Sequence, residues 1–71
     1  MISYKPFYET LFKQGRTEYE LIFRHGLSSN TIHRMKKGKP ITTATLDTLC
    51  FILNCNVYDV ITYIPDDIGE V

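Results

Sequence analysis

Between His25 and Ser29 the chain reads Gly26-Leu27-Ser28, and this short stretch constrains the fold more than any other. Upstream, Leu21 lies on a segment with helical character that Gly26 can stop, because glycine readily supplies the left-handed backbone of a helix C-terminus. Downstream, Ser28 is a favourable N-cap, so a new helix can begin at once. With only Leu27 between the stop and the start, the two helices must cross at a steep angle.

That arrangement is a helix-turn-helix, expected here over about residues 17–38. Its first helix is announced by Thr17-Glu18-Tyr19-Glu20, the pattern of a capping box. The Thr17 hydroxyl is expected to accept from the Glu20 N–H, and the Glu20 carboxylate to reach back to Thr17. The remaining punctuation is compact. Pro6 suits the first turn of a helix carrying Phe7 and Leu11, with Tyr8 and Phe12 one turn apart and Gly15 as the stop. Thr42 or Thr43 can cap a further helix, in which Leu46, Leu49, Cys50 and Leu53 form the cleanest apolar stripe in the chain. Asn56 is expected to cap a short fifth helix bearing Val57, Val60 and Ile61. Ile2-Ser3-Tyr4 and Thr62-Tyr63-Ile64 precede prolines and read as extended, so they are expected to pair as a minimal antiparallel ribbon. The fold class is therefore all-α, a single domain over residues 1–71.

The helix expected over 29–37 separates its faces sharply. At ~100° per residue, Ile32 and Met35 form one stripe, and Asn30, His33, Arg34 and Lys37 lie within about 50° of the opposite side. Ser29 sits on the flank near the helix start. These side chains are cationic or hydrogen-bonding, and none is acidic. Net charge is zero, yet its distribution is uneven. From Lys13 to Lys39 there are seven basic residues against two acids, whereas Pro40 to Val71 holds five acids and no Lys or Arg. The local field, rather than the total charge, is what a phosphate backbone feels.

Other function classes find little support. No apolar run approaches the ~20 residues of a membrane span. The N-terminus lacks a signal-peptide layout, so a cytoplasmic location is expected. Cys50 and Cys55 match neither a zinc spacing nor a CxxC pair, and read as free thiols packed like small hydrophobes. With no glycine-rich phosphate loop and no histidine beside an acid, no enzymatic role, cofactor, metal or small-molecule ligand is expected.

The ordered set Glu20-Leu21, Gly26-Leu27-Ser28, Thr31-Ile32, Arg34-Met35, Gly38, Leu46, Leu49-Cys50, Leu53-Asn54-Cys55 and Tyr63-Ile64-Pro65-Asp66 resembles the Cro/cI (lambda-repressor-like, xenobiotic-response-element type) helix-turn-helix family. Within that family, the chain is most similar to small stand-alone regulators of the YozG kind. The resemblance implies a compact five-helix fold. It also implies sequence-specific binding to double-stranded DNA, usually as a homodimer and usually to repress or autoregulate transcription. By position it implies base reading by Ser29, Asn30, His33 and Arg34, with Arg34 and Lys37 meeting bases or flanking phosphate. Thr17 matches a backbone contact at the start of the second helix, and Ser28, Arg24, Lys36, Lys37 and Lys39 would complete the backbone set. The chain departs from the family in carrying Ile22 where alanine is usual, and Arg16 at a usually apolar position.

The alternative is a protein-interaction module, such as an antitoxin or anti-repressor with the same fold. Phe51, Tyr58 and Tyr63 lie in the acidic half, and aromatic residues of that kind are typical interface material. They could also fill the core or form a homodimer seam, a natural supplement to so small a core.

Overall fold

The computed structural model describes residues 1–65. In chain order its elements are strand β1 (Ile2–Ser3), helix α1 (Lys5–Gln14), helix α2 (Glu18–His25), helix α3 (Ser29–Lys36), helix α4 (Thr43–Leu53), a 3-10 turn (Val57–Asp59) and strand β2 (Thr62–Tyr63). Asp66, Asp67 and Glu70, part of the acidic tail noted above, lie outside the described residues.

Each helix boundary follows local chemistry. Helix α1 has proline in its first turn and ends on Gly15 at φ 66°. Helix α2 ends on Gly26 at φ 73°, where the Leu27 N–H reaches back to the Leu21 carbonyl at 3.1 Å. The hydroxyls of Thr17, Ser28 and Thr42 accept from the backbone N–H groups of Glu20, Asn30 and Thr45, which caps α2, α3 and α4 in turn. The Thr17–Glu20 box is only half formed. Instead of turning back to Thr17, the Glu20 carboxylate lies 4.0 Å from Arg16 and 3.8 Å from His25, which draw it sideways.

The core is one cluster built from Tyr4, Phe7, Leu11, Leu21, Leu27, Ile32, Met35, Leu49, Leu53 and Val60. Every helix contributes at least one of these. Leu46 and Cys50, from the apolar stripe of α4, are half-buried at its margin. Both cysteines are free thiols. Burial, and then the neighbouring Cys50, push the Cys55 thiol up to about 11.

Where a fifth helix is expected from the sequence, a single 3-10 turn stands instead. The Asp59 carboxylate accepts from the Asn56 N–H at 3.0 Å, so the start is capped, but the turn cannot propagate. Val60 is fully buried with its carbonyl accepting from Phe7, and two residues later the chain enters the ribbon. The ribbon is antiparallel and pairs Ile2 with Tyr63 and Ser3 with Thr62. Tyr4 is not extended: it turns at φ −98°, ψ 14° to start α1, and its ring is buried.

Four long-range polar pegs lock the elements. The Tyr4 hydroxyl donates to the Lys39 carbonyl at 2.6 Å, and the Thr10 hydroxyl to the Asp59 carbonyl at 2.7 Å. At the C-terminus of α4, Gln14 donates to Leu53 O at 2.8 Å and Arg16 to Ile52 O at 3.1 Å. Helix α4 has no basic residue in its own last turn, so Arg16 also supplies the cation that its dipole favours. This accounts for an arginine at a usually apolar position.

Leu21 is fully buried, so Leu21→Ala is expected to destabilise the fold by about 2–5 kcal/mol in urea unfolding. At Gly26 a Cβ would meet open space, so only backbone strain opposes Gly26→Ala, with an expected loss of about 1–2 kcal/mol.

Candidate nucleic-acid interface

Helix α3 is seated from below by Ile32 and Met35, both buried, with Thr31 half-buried, and bears its other side chains outward. Ser29, Asn30, His33 and Arg34 are all exposed, as are Lys36 and Lys37, and no acid lies on the helix. Pairs four apart, such as Asn30 with Arg34 and His33 with Lys37, stack one turn above another. The structure therefore brings together the residues for which the sequence argues a reading face. Thr17, Arg24, Ser28 and Lys39 are exposed too.

Two shallow grooves bound α3. On one side Ser29, Ile32, His33 and Lys36 face Glu18, Tyr19 and Ile22 of α2. On the other, Thr31 and Arg34 face Pro40 and Ile41 of the following loop and Thr42 and Thr45 at the start of α4. The bulky Ile22 is half-buried against the core and fits between α2 and α3.

The side chains differ in how firmly they are held. Arg34 donates to the Pro40 carbonyl at 3.0 Å, which steadies the guanidinium and leaves most of its five N–H donors for a further acceptor. The Asn30 side-chain amide makes no hydrogen bond to another described residue. Ser28 and Thr17 use their hydroxyl oxygens as acceptors in capping, so each keeps an O–H to donate outward. Lys36 is engaged: its ammonium lies 3.0 Å from the Glu18 carboxylate.

The other Glu18 oxygen is buried beside the Tyr8 hydroxyl, itself buried, and neither makes a well-formed hydrogen bond. Burial, and then the Glu18 charge, push the Tyr8 hydroxyl up to about 12.

Sequence reasoning overlooks one surface feature near this face. Tyr19 and Phe23 are exposed and packed ring to ring at 4.3 Å on α2. Their four-residue separation, on the side opposite Leu21, was the available signal. The aromatics expected at a possible protein interface are also outward: Phe51 is 85% exposed, Tyr58 71% and Tyr63 64%. They do not fill the core.

Among the described residues, no helix is long and apolar enough to cross a membrane, and no group of His, Cys, Asp or Glu is placed to hold a metal ion.

Comparison with known proteins places this geometry. The family model described as a Cro/C1-type HTH DNA-binding domain matches residues 13–66. The crystal structure of the transcriptional regulator VanUg (form II) is similar, with a TM-score of 0.82 and 26% identity. That alignment covers 92% of this chain and 87% of VanUg. No curated protein sequence matches the chain.

Because the folded Tyr8 pKa is raised, from about 10 to about 12, its contribution to stability is fully present below pH about 10 and is lost as pH rises towards 12. Tyr8→Phe removes the ionisable group, so its stability is expected to fall less across that window, as followed by far-UV circular dichroism.

Proposed function

The chain belongs to the Cro/C1-type helix-turn-helix DNA-binding family, and on that premise we propose that it is a sequence-specific transcriptional regulator, a repressor or autoregulator, that inserts α3 into the major groove of duplex DNA. One observation carries this reading: an acid-free set of amide, imidazole and guanidinium groups projects from a helix pinned to the core by Ile32 and Met35. The major groove presents distinct donors and acceptors for each base pair, and these are the side-chain types that match them.

In this reading Asn30 pairs with adenine and Arg34 with guanine. Ser29 and His33 complete the base contacts from the α2 side of the helix. The outward hydroxyls of Thr17 and Ser28, with Arg24, Lys36, Lys37 and Lys39, grip the phosphates. Such contacts fix orientation without reading sequence. In this reading the protein acts in the cytoplasm, and no catalytic step enters.

A second copy of the chain fits the reading because the exposed Phe51, Tyr58 and Tyr63 leave apolar surface uncovered in one protomer. A homodimer would place two α3 helices on half-sites about one helical turn apart. If these aromatics instead receive a different protein, the fold serves as an interaction module of the antitoxin or anti-repressor type. Sedimentation across a concentration series separates the cases: self-association weakened by Phe51→Ala is expected, and a monomer at every concentration counts against the dimer.

Binding to a random-sequence duplex is expected to weaken as salt rises, with a slope reflecting roughly three to six phosphates per subunit. No association at low salt removes the DNA-binding reading. On a selected duplex, Arg34→Ala is expected to relax preference at one base pair by about 1–3 kcal/mol, whereas Lys39→Ala weakens all sequences alike. Uniform losses for both would demote Arg34 to a backbone contact.

A further inference from the structure

Resting on the DNA-binding reading above, we propose that Glu18 competes with backbone phosphate for the Lys36 ammonium, so that docking hands Lys36 from the carboxylate to the duplex. Lys36 lies on the flank of α3 that faces α2, with its Nζ 3.0 Å from Glu18 Oε1. Carboxylate and phosphate oxygens offer an ammonium the same charge-assisted hydrogen bond, so one can replace the other.

The two partners are held unequally. The Lys36 side chain is 57% exposed and ends in a compact charge on a flexible stem, which can swing outward while α3 stays seated. The Glu18 side chain is 23% exposed, belongs to the first residue of α2, and has its second oxygen buried beside Tyr8. The acid is fixed and the lysine is free to leave. Arg24, Lys37 and Lys39 have no ion-pair partner among the described residues, so of these proposed backbone contacts only Lys36 must abandon an internal anion to reach DNA.

The pair consequently acts on selectivity. A docked pose that sets a phosphate within reach of Lys36 recovers the lost contact. A misregistered pose does not, and is disfavoured by the strength of the pair. For a partly exposed ion pair that strength corresponds to about two- to fivefold in affinity.

The test is a double-mutant cycle on a random-sequence duplex, read by fluorescence anisotropy for the wild type, Glu18→Gln, Lys36→Ala and the double variant. Glu18→Gln is expected to tighten binding about two- to fivefold when Lys36 is present, and less than about 1.5-fold when it is alanine. Equal tightening in both backgrounds would mean that Glu18 merely repels the duplex, and would overturn the proposal. A second measurement needs no variant. The carboxyl carbon resonance of Glu18 in the wild-type protein is expected to move when duplex is added, as Lys36 leaves it; an unmoved resonance in the bound state overturns the proposal. Wild-type binding without coupling refutes this inference alone, whereas absence of wild-type binding refutes the DNA-binding reading together with it.

Discussion

The molecule depends on the burial of Leu27 inside a turn that has almost no length. Gly26 takes the left-handed conformation, the Leu27 N–H closes onto Leu21, and the Leu27 side chain drops into the core before Ser28 caps the next helix. A turn this short leaves little freedom in the crossing of α2 and α3. Everything that α3 presents outward is thereby positioned relative to α2, including the separation of Lys36 from Glu18.

Around that joint the structure uses side chains of one element to satisfy the backbone of another. Gln14 and Arg16 close the C-terminus of α4, Tyr4 holds the loop at Lys39, and Arg34 holds it at Pro40. Each peg spans parts of the chain that an apolar core of this size would orient only loosely. The loop between α3 and α4 is held from both sides. Its Lys39 carbonyl is bonded to Tyr4, the residue that starts α1, and its Pro40 carbonyl to the helix proposed to read DNA.

The electrostatics follow from the same packing. A net charge of zero conceals a basic surface around α3, but the surface is not uniformly available. Glu18 and Glu20, the only acids in the basic stretch, both sit on α2 and both engage cations, Glu18 with Lys36 and Glu20 with Arg16, while the His25 ring lies 3.8 Å from Glu20. The basic side chains left without an ion pair among the described residues, such as Arg24, Lys37 and Lys39, are the ones with no carboxylate within reach.

The sequence by itself determined whatever depends on neighbours along the chain. The glycine stops, the threonine and serine caps, the apolar stripe of α4, the acid-free face of α3 and the ribbon between the termini are all legible in it, because short-range backbone chemistry and helical periodicity produce them. Only the tertiary structure decided what depends on groups far apart in sequence. Glu20 abandoned its capping role because Arg16 and His25 stand beside it. The expected fifth helix shrank to one turn because Val60 was needed in the core and Thr62 in the ribbon. Lys36 met Glu18 because α2 and α3 cross where Leu27 makes them cross. A one-dimensional pattern specifies which face a residue occupies, while the partner across that face is set by packing.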